Sequence, residues 1–135
     1  MYGVFVSHGW HDRWIAKQMA RLISDAGAAP FIDIFDITSG DRIEAKVWQG
    51  LVQCDELVAL LTPWSVDRKW VWTEMSSAWV LQKRFVGVLH GVTLTEIDEK
   101  HGGLAILAPT KILSLNDFDH YIEEMSKRMS ERAPL

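Results

Sequence analysis

Short apolar runs alternate along the chain with stretches whose apolar residues recur at helical spacing. A short apolar run that ends in a polar turn is typical of a buried strand, and the run from Phe31 to Ile37 is also β-branched and aromatic. The sequence therefore predicts five strands: Val4 to Val6, Phe31 to Ile37, Leu57 to Leu61, Phe85 to Leu89 and Lys111 to Leu115.

Four other segments carry the apolar stripe of an amphipathic helix. For the first helix, Asp12 is predicted to cap the start and Gly27 the end, and Pro30 then resets the chain before the second strand. The stripes begin at Ile15, Ile43, Val71 and Phe118, the third helix is predicted to reach about Arg84, and residues from Thr95 to Lys100 predict one or two further turns. Strands that alternate with helices imply right-handed crossovers and an α/β fold whose parallel sheet is covered on both faces.

Composition and charge narrow the class of protein. The 135 residues are 48% hydrophobic and 24% charged, which suits one domain with one core and excludes a two-lobed enzyme. A formal net charge of -4 without a basic run argues against direct nucleic-acid binding. No apolar run approaches the roughly 20 residues that span a bilayer, and no signal peptide is visible. We therefore expect a single cytoplasmic domain over residues 1–135, with no membrane partner and a frayed tail from Ser130 to Leu135.

In parallel sheets ligands bind beyond the carboxyl ends of the strands, so the loops at those ends are the places to look for chemistry. Glycine-rich phosphate loops, a GxSxG nucleophile elbow and an HExxH zinc motif are all absent from the sequence. His8, His11 and Asp12 would need Asp33 or Asp36 to complete a metal site, and solvated turn residues are the more ordinary interpretation. We expect no metal. The one cysteine, Cys54, is interpreted as a small buried hydrophobe rather than a nucleophile.

The segment from Trp64 to Met75 carries the most informative pattern. Trp70 and Glu74 are four residues apart on the predicted third helix, one position off its apolar stripe. This spacing sets a carboxylate beside an indole at the top of the sheet. On the spacing by itself, a solvated glutamate in the first turn of a helix is the favoured interpretation, because the helix dipole favours an acid there.

Three motifs that follow one another in order resemble those of a TIR (Toll/interleukin-1 receptor) domain. Val4-Phe5-Val6-Ser7-His8 with Asp12 is similar to the opening strand of the family and the acid after it. Phe31-Ile32-Asp33 through Asp36, Gly40 and Ile43 resembles its second strand and BB loop, and Ser65 with Trp70 to Glu74 resembles its third block. The resemblance implies a flavodoxin-like three-layer sandwich, with a five-stranded parallel sheet in the order 2-1-3-4-5.

The resemblance also implies an activity, because the bacterial enzymatic members of the family cleave NAD+ between nicotinamide and ribose. Glu74 matches their catalytic glutamate, and NAD+ is then a substrate, so no cofactor is expected. The products would be nicotinamide with ADP-ribose or a cyclic ADP-ribose form, in bacterial immune signalling or defence against phage. The residues expected to border the substrate are His8, Gly9, Trp10, Asp33, Asp36 and Gly40, together with Trp70 beside Glu74.

Seven tryptophans are many for a chain of this length. Those near the candidate loops could stack on a base: Trp10, Trp64, Trp70 and Trp72. Those on predicted helices are expected either in the core or at an assembly surface: Trp14, Trp48 and Trp79.

Two other functions stay open on the sequence alone. One is a non-enzymatic adaptor that signals through TIR–TIR contacts. The other is a nucleoside-processing hydrolase or transferase, which would need a second acid near Glu74. In the family the BB loop commonly packs on a neighbouring copy, so we expect self-association through the loop from Ile37 to Ile43. Because the match takes up the whole chain, a separate sensor or effector protein is the expected partner.

Overall fold

The computed structural model describes residues 1–32, 41–67, 69–101 and 111–132, without the side chains of residues 41–46, 69–71, 73, 100 and 101. Within these residues one parallel sheet is formed by β1 (Gly3–Ser7), β2 (Ala29–Ile32), β3 (Glu56–Leu61), β4 (Arg84–Leu89) and β5 (Lys111–Ser114). The strand order is β2-β1-β3-β4-β5, and every described pair is parallel. The predicted α/β fold and strand order are confirmed.

Helices cover both faces of this sheet. They are α1 (Arg13–Asp25), α2 (Asp41–Gln53), α3 (Lys69–Val80), α4 (Leu94–His101) and α5 (Phe118–Arg132). Alternate residues of β1 feed two separate cores, because successive side chains of a strand point to opposite faces. Phe5 packs with Met75 and Ala78 of α3, whereas Val4 and Val6 belong to the other core. None of the described helices combines the length and apolar character that a membrane crossing requires.

Two predicted boundaries are wrong for identifiable reasons. Pro30 is predicted to lie before the second strand, but it lies inside β2. A proline is tolerated there because β2 is an edge strand, whose outer side has no neighbour that needs a backbone amide hydrogen. The predicted continuation of that strand from Asp33 to Ile37 lies outside the described residues. Helix α3 ends at Val80 rather than near Arg84, since Gln82 adopts a left-handed conformation with φ of 57° and β4 already begins at Arg84.

A buried carboxylate joins α5 to the amino end of the sheet. Glu56, the first residue of β3, is 0% exposed and accepts hydrogen bonds from the Tyr2 and Tyr121 hydroxyls. Arg128 of α5 donates to both oxygens of the same carboxylate, from Nε at 2.9 Å and from Nη2 at 2.8 Å. Burial and the hydrogen bond to Glu56 raise the pKa of Tyr2 to about 12. Arg132 forms an ion pair with Asp55 beside this cluster. The end of α5 is therefore attached to the sheet as far as Arg132, within the segment from Ser130 that is predicted to fray.

Three of the tryptophans on helices lie at the surface. Trp14, Trp48 and Trp79 are each more than half exposed, which excludes the core and leaves the assembly surface of the two predicted locations. Trp48 and Val80 line a groove of about 380 Å³ on the surface formed by α2 and α3, together with Trp72. The buried positions of α1 are filled by smaller or more flexible residues such as Ala16 and Met19, which leaves Trp14 on the outer side. An assembly role for these indoles stays a prediction.

Candidate functional site

Helix α3 returns over the carboxyl ends of β1 and β3 and packs against both strands. Ser7 is the last residue of β1 and lies in register with Ala59 of β3. The chain leaves β3 at Leu61 and forms a short 3-10 helix over Ser65–Asp67 before α3 begins. This is the edge of the sheet at which parallel α/β proteins bind ligands.

Glu74 is buried at this edge and is only 3% exposed. The Oγ atom of Ser7 donates a hydrogen bond to its Oε1 atom at 2.6 Å. Because α3 begins at Lys69, Glu74 lies in the second turn of the helix and is directed at the sheet. The interpretation of Glu74 as a solvated first-turn acid is therefore wrong. A carboxylate withdrawn from water and held by a hydroxyl donor can act strongly on a cationic group, since little solvent screens it.

A second polar network ties the loops after β1 and β3 together. Thr62 donates its hydroxyl hydrogen to Oδ2 of Asp12 at 2.5 Å, and its own oxygen accepts from the amide of Ser65 at 3.1 Å. Ser65 Oγ accepts from the amide of Thr62 and donates to the carbonyl of Leu60, both at 2.8 Å. Asp12 occupies the predicted N-cap position of α1, but its side chain makes no capping hydrogen bond to this helix. Its carboxylate holds the neighbouring loop instead.

Gly9 allows the two loops to approach each other closely. A Cβ atom added there would lie 3.3 Å from the Cα atom of Ser65, a distance that few real Cβ atoms show. The backbone of Gly9 is extended, with φ of -86° and ψ of 158°, so space rather than backbone conformation requires the glycine. Its predicted contact with substrate stays a prediction.

The residues around Gly9 divide into a buried and an exposed group. His8 and Asp12 are buried, so the solvated-turn interpretation is wrong for these two residues. His11 is exposed and stacks on Trp64, with ring centroids 5.8 Å apart. Trp10 is also exposed, and the guanidinium of Arg13 lies over its ring at 4.0 Å. Across the described part of the chain, no three His, Cys, Asp or Glu side chains gather as metal ligands would.

Several predicted site residues cannot be placed beside Glu74. Asp33, Asp36 and Gly40 lie outside the described residues, and Trp70 is described only as a backbone position of α3, one turn before Glu74. Packing explains the position of Trp72, a residue of α3. Its side chain lies against the core, and its Nε1 donates a hydrogen bond to the carbonyl of Val66 at 2.8 Å.

The predicted set of site residues omits Ser7 and Thr62, which the structure brings to the same strand edge. Both are polar residues directly at the end of an apolar strand, and the carboxyl ends of parallel strands lie at the same edge of the sheet. That signal marks both residues as candidates for the site, but it does not by itself pair Ser7 with Glu74.

Cys54 lies at the opposite end of the sheet, just before β3. It is buried, and its thiol donates to the carbonyl of Leu51 at 3.1 Å. Burial raises the pKa of the Cys54 thiol to about 11, so the thiolate nucleophile is scarce near neutral pH. The prediction of a small buried hydrophobe is confirmed.

Comparison with known proteins agrees with this architecture. A family model described as TIR domain matches residues 4–126. Among curated proteins, the Brucella abortus protein named "Probable 2' cyclic ADP-D-ribose synthase TcpB" is 24% identical over 133 residues, which cover 95% of this chain and 51% of that protein. The chain thus spans about half the length of the curated relatives it matches.

Two solved structures share the fold at low sequence identity. The TIR domain of the Toll-related receptor TRR-2 from Hydra magnipapillata superposes with a TM-score of 0.65 at 16% identity, covering 98% of this chain and 97% of that one. The CMP N-glycosidase BcmB from Clostridium botulinum superposes with a TM-score of 0.58 at 12% identity, covering 91% and 97%. With the family model matched from β1 into α5, on a sheet in the order β2-β1-β3-β4-β5, the chain belongs to the TIR domain family.

Proposed function

We propose that this TIR domain cleaves NAD+ at the bond between nicotinamide and ribose, with Glu74 as the catalytic carboxylate. The observation that carries the proposal is the burial of Glu74 at the carboxyl ends of β1 and β3, where Ser7 donates to it at 2.6 Å. The Brucella relative is named as a probable 2' cyclic ADP-D-ribose synthase, which supports chemistry on an ADP-ribose group.

One carboxylate is enough for this reaction. Glycosidases usually need a second acid, because the leaving oxygen must be protonated. In NAD+ the bond from ribose C1′ to the pyridinium nitrogen breaks with its electron pair passing to that nitrogen, so nicotinamide leaves neutral without a proton. The ribose becomes oxocarbenium-like, and the negative charge of Glu74 stabilises it. The second acid that a general nucleoside hydrolase would need is therefore not required.

The second half of the reaction decides the product. Water can attack C1′ and lose a proton to Glu74 or to solvent, which yields ADP-ribose. A nucleophilic group of the same ADP-ribose can attack instead and lose its proton in the same way, which yields a cyclic form. Glu74 could orient either nucleophile. We place this activity in bacterial immune signalling, as the family resemblance implies.

The substrate would extend from Glu74 across the loop that follows β1. We propose that His8, Gly9 and Trp10, which follow β1, border the substrate, with the exposed Trp10 available to stack on a base. Base stacking on an aromatic side chain contributes about 1 to 3 kcal/mol. Trp70, Asp33, Asp36 and Gly40 complete the proposed set of substrate contacts.

The deciding experiment is to incubate the purified protein with NAD+ and to follow nicotinamide release by chromatography. Release of nicotinamide together with linear or cyclic ADP-ribose supports the proposal. If NAD+ stays intact at protein concentrations at which the chain self-associates, the enzymatic function is wrong and the adaptor function is favoured.

We expect the specific activity to rise with protein concentration. The exposed indoles of Trp48 and Trp79 offer apolar surface to a second copy, and the family resemblance assigns the loop around Gly40 to the same contact. Only the competent fraction of an unpaired chain binds substrate, so association should increase that fraction. Nicotinamide release is measured over about a hundredfold dilution, with sedimentation to follow the oligomeric state.

The substitution Gly40→Pro should abolish this rise without unfolding the sheet, because it restricts the loop and leaves the strands intact. Constant specific activity from a chain that stays monomeric throughout the dilution would contradict the assembly model.

A further inference from the structure

We propose that Ser7 is the positioning residue of Glu74: its hydroxyl fixes the orientation of the Glu74 carboxylate and favours the ionised form. The inference rests on the proposed function of Glu74. Ser7 is outside the set of residues that the family resemblance assigns to the substrate.

The contact between the two side chains is short and sheltered from water. Ser7 Oγ lies 2.6 Å from Glu74 Oε1, within the range of about 2.5 to 2.7 Å that is typical of a hydroxyl donating to a carboxylate. Ser7 is 1% exposed and Glu74 is 3% exposed. With so little water at hand, the loss of this donor would not be made good by solvent.

The fold aims Ser7 at α3 by strand alternation. Phe5 lies on the face of β1 that α3 covers, in the same core as Met75, and Val6 lies on the opposite face. Because side chains alternate along a strand, Ser7 shares the face of Phe5. An apolar residue at position 7 would extend the core that Phe5 shares with Met75. A serine at this position instead supplies a hydrogen-bond donor to Glu74, the residue that precedes Met75 on α3.

The donor is also rigidly held. Ser7 is paired in register with Ala59 of β3, and β1 lies between β2 and β3 in the sheet. The backbone of a paired interior strand has little freedom to move with Glu74 if the carboxylate rotates. The hydrogen bond therefore restricts the carboxylate rather than the serine, which is how a positioning group lowers the cost of reaching the reactive geometry.

The test compares Ser7→Ala with a matched control, Ser114→Ala. Ser114 also ends a strand, but its hydroxyl oxygen only caps the local turn by accepting from the amide of Asn116 at 3.1 Å. We expect Ser7→Ala to lower kcat for nicotinamide release about 10- to 100-fold and to leave KM within about twofold. Ser114→Ala should leave both constants unchanged, and Ser7→Thr, which keeps a hydroxyl, should recover most of kcat.

The pH profile separates positioning from a merely structural role. A donated hydrogen bond favours the ionised carboxylate, so its removal makes Glu74 bind a proton at higher pH. The acidic limb of the kcat profile should therefore move up by about 1 pH unit in Ser7→Ala and not in Ser114→Ala. Unchanged kcat, or a lowered kcat with an unmoved limb in folded protein, would overturn the inference.

A direct titration makes the test independent of turnover. In protein labelled with ¹³C at the glutamate side chains, the Glu74 signal is assigned by its absence from Glu74→Gln, and its midpoint is compared between the wild type and Ser7→Ala. A rise of the midpoint supports the inference even if NAD+ proves not to be the substrate, and equal midpoints overturn it. Full activity of Glu74→Gln would instead overturn the proposed function alone.

Discussion

Replacing Glu74 by glutamine should lower the rate of nicotinamide release from NAD+ by a factor of about 10² to 10³. Glutamine has nearly the same shape, so the helix should still pack on β1. It cannot supply the negative charge that stabilises the oxocarbenium-like ribose, and the lost interaction exists mainly in the transition state. The loss should therefore appear in kcat far more than in KM, measured by initial rates of nicotinamide release.

The matched control is Glu99→Gln on α4, which makes the same chemical change at an exposed helical position. It should leave nicotinamide release unchanged. Circular dichroism and the melting temperature of both variants report whether the fold is retained. If folded Glu74→Gln turns over NAD+ at nearly the normal rate, Glu74 is not the catalytic residue.

The largest loss of stability should come from the other end of the sheet, on replacing Arg128 by methionine. The change removes both guanidinium hydrogen bonds to Glu56, a buried carboxylate that keeps the two tyrosine donors named above. Removing one partner of a buried ion pair costs about 3 to 5 kcal/mol, because the remaining charge is uncompensated. The free energy of unfolding should fall by about 3 kcal/mol, and the melting temperature by roughly 10 °C.

Lys127→Met on the same helix is the control, because Lys127 is exposed and the change removes a cation of similar length. Its effect should stay within about 0.5 kcal/mol. Unfolding in urea measures both variants. Glu56 lies at the amino end of β3, whereas Glu74 lies at the carboxyl ends of the strands. At temperatures well below its melting temperature, Arg128→Met should therefore have the same specific activity as the wild type. Equal free energies of unfolding for the two variants would show that the ion pair between Arg128 and Glu56 does not stabilise the fold.

Much of the fold follows from local pattern. Buried parallel strands are short and continuously apolar, and the apolar residues of amphipathic helices recur every three or four positions. The strand from Leu57 to Leu61 and the helical stripe from Val71 to Ala78 can therefore be assigned without coordinates. The ends of strands and helices are harder to predict, because the local sequence signals for a break compete with the hydrogen bonds between strands. Pro30 signals a break, yet an edge position admits it to β2.

The sequence by itself determined the α/β class, the family resemblance and the choice of Glu74, because these depend on residue types at fixed spacings along one chain. Only the tertiary structure decided that Glu74 is buried and bonded to Ser7, and that the Asp12 side chain holds Thr62 rather than capping α1. The reason is physical. Hydrogen bonds between residues 50 or 67 positions apart depend on how strand ends and helix turns meet in space, and no local spacing encodes that meeting.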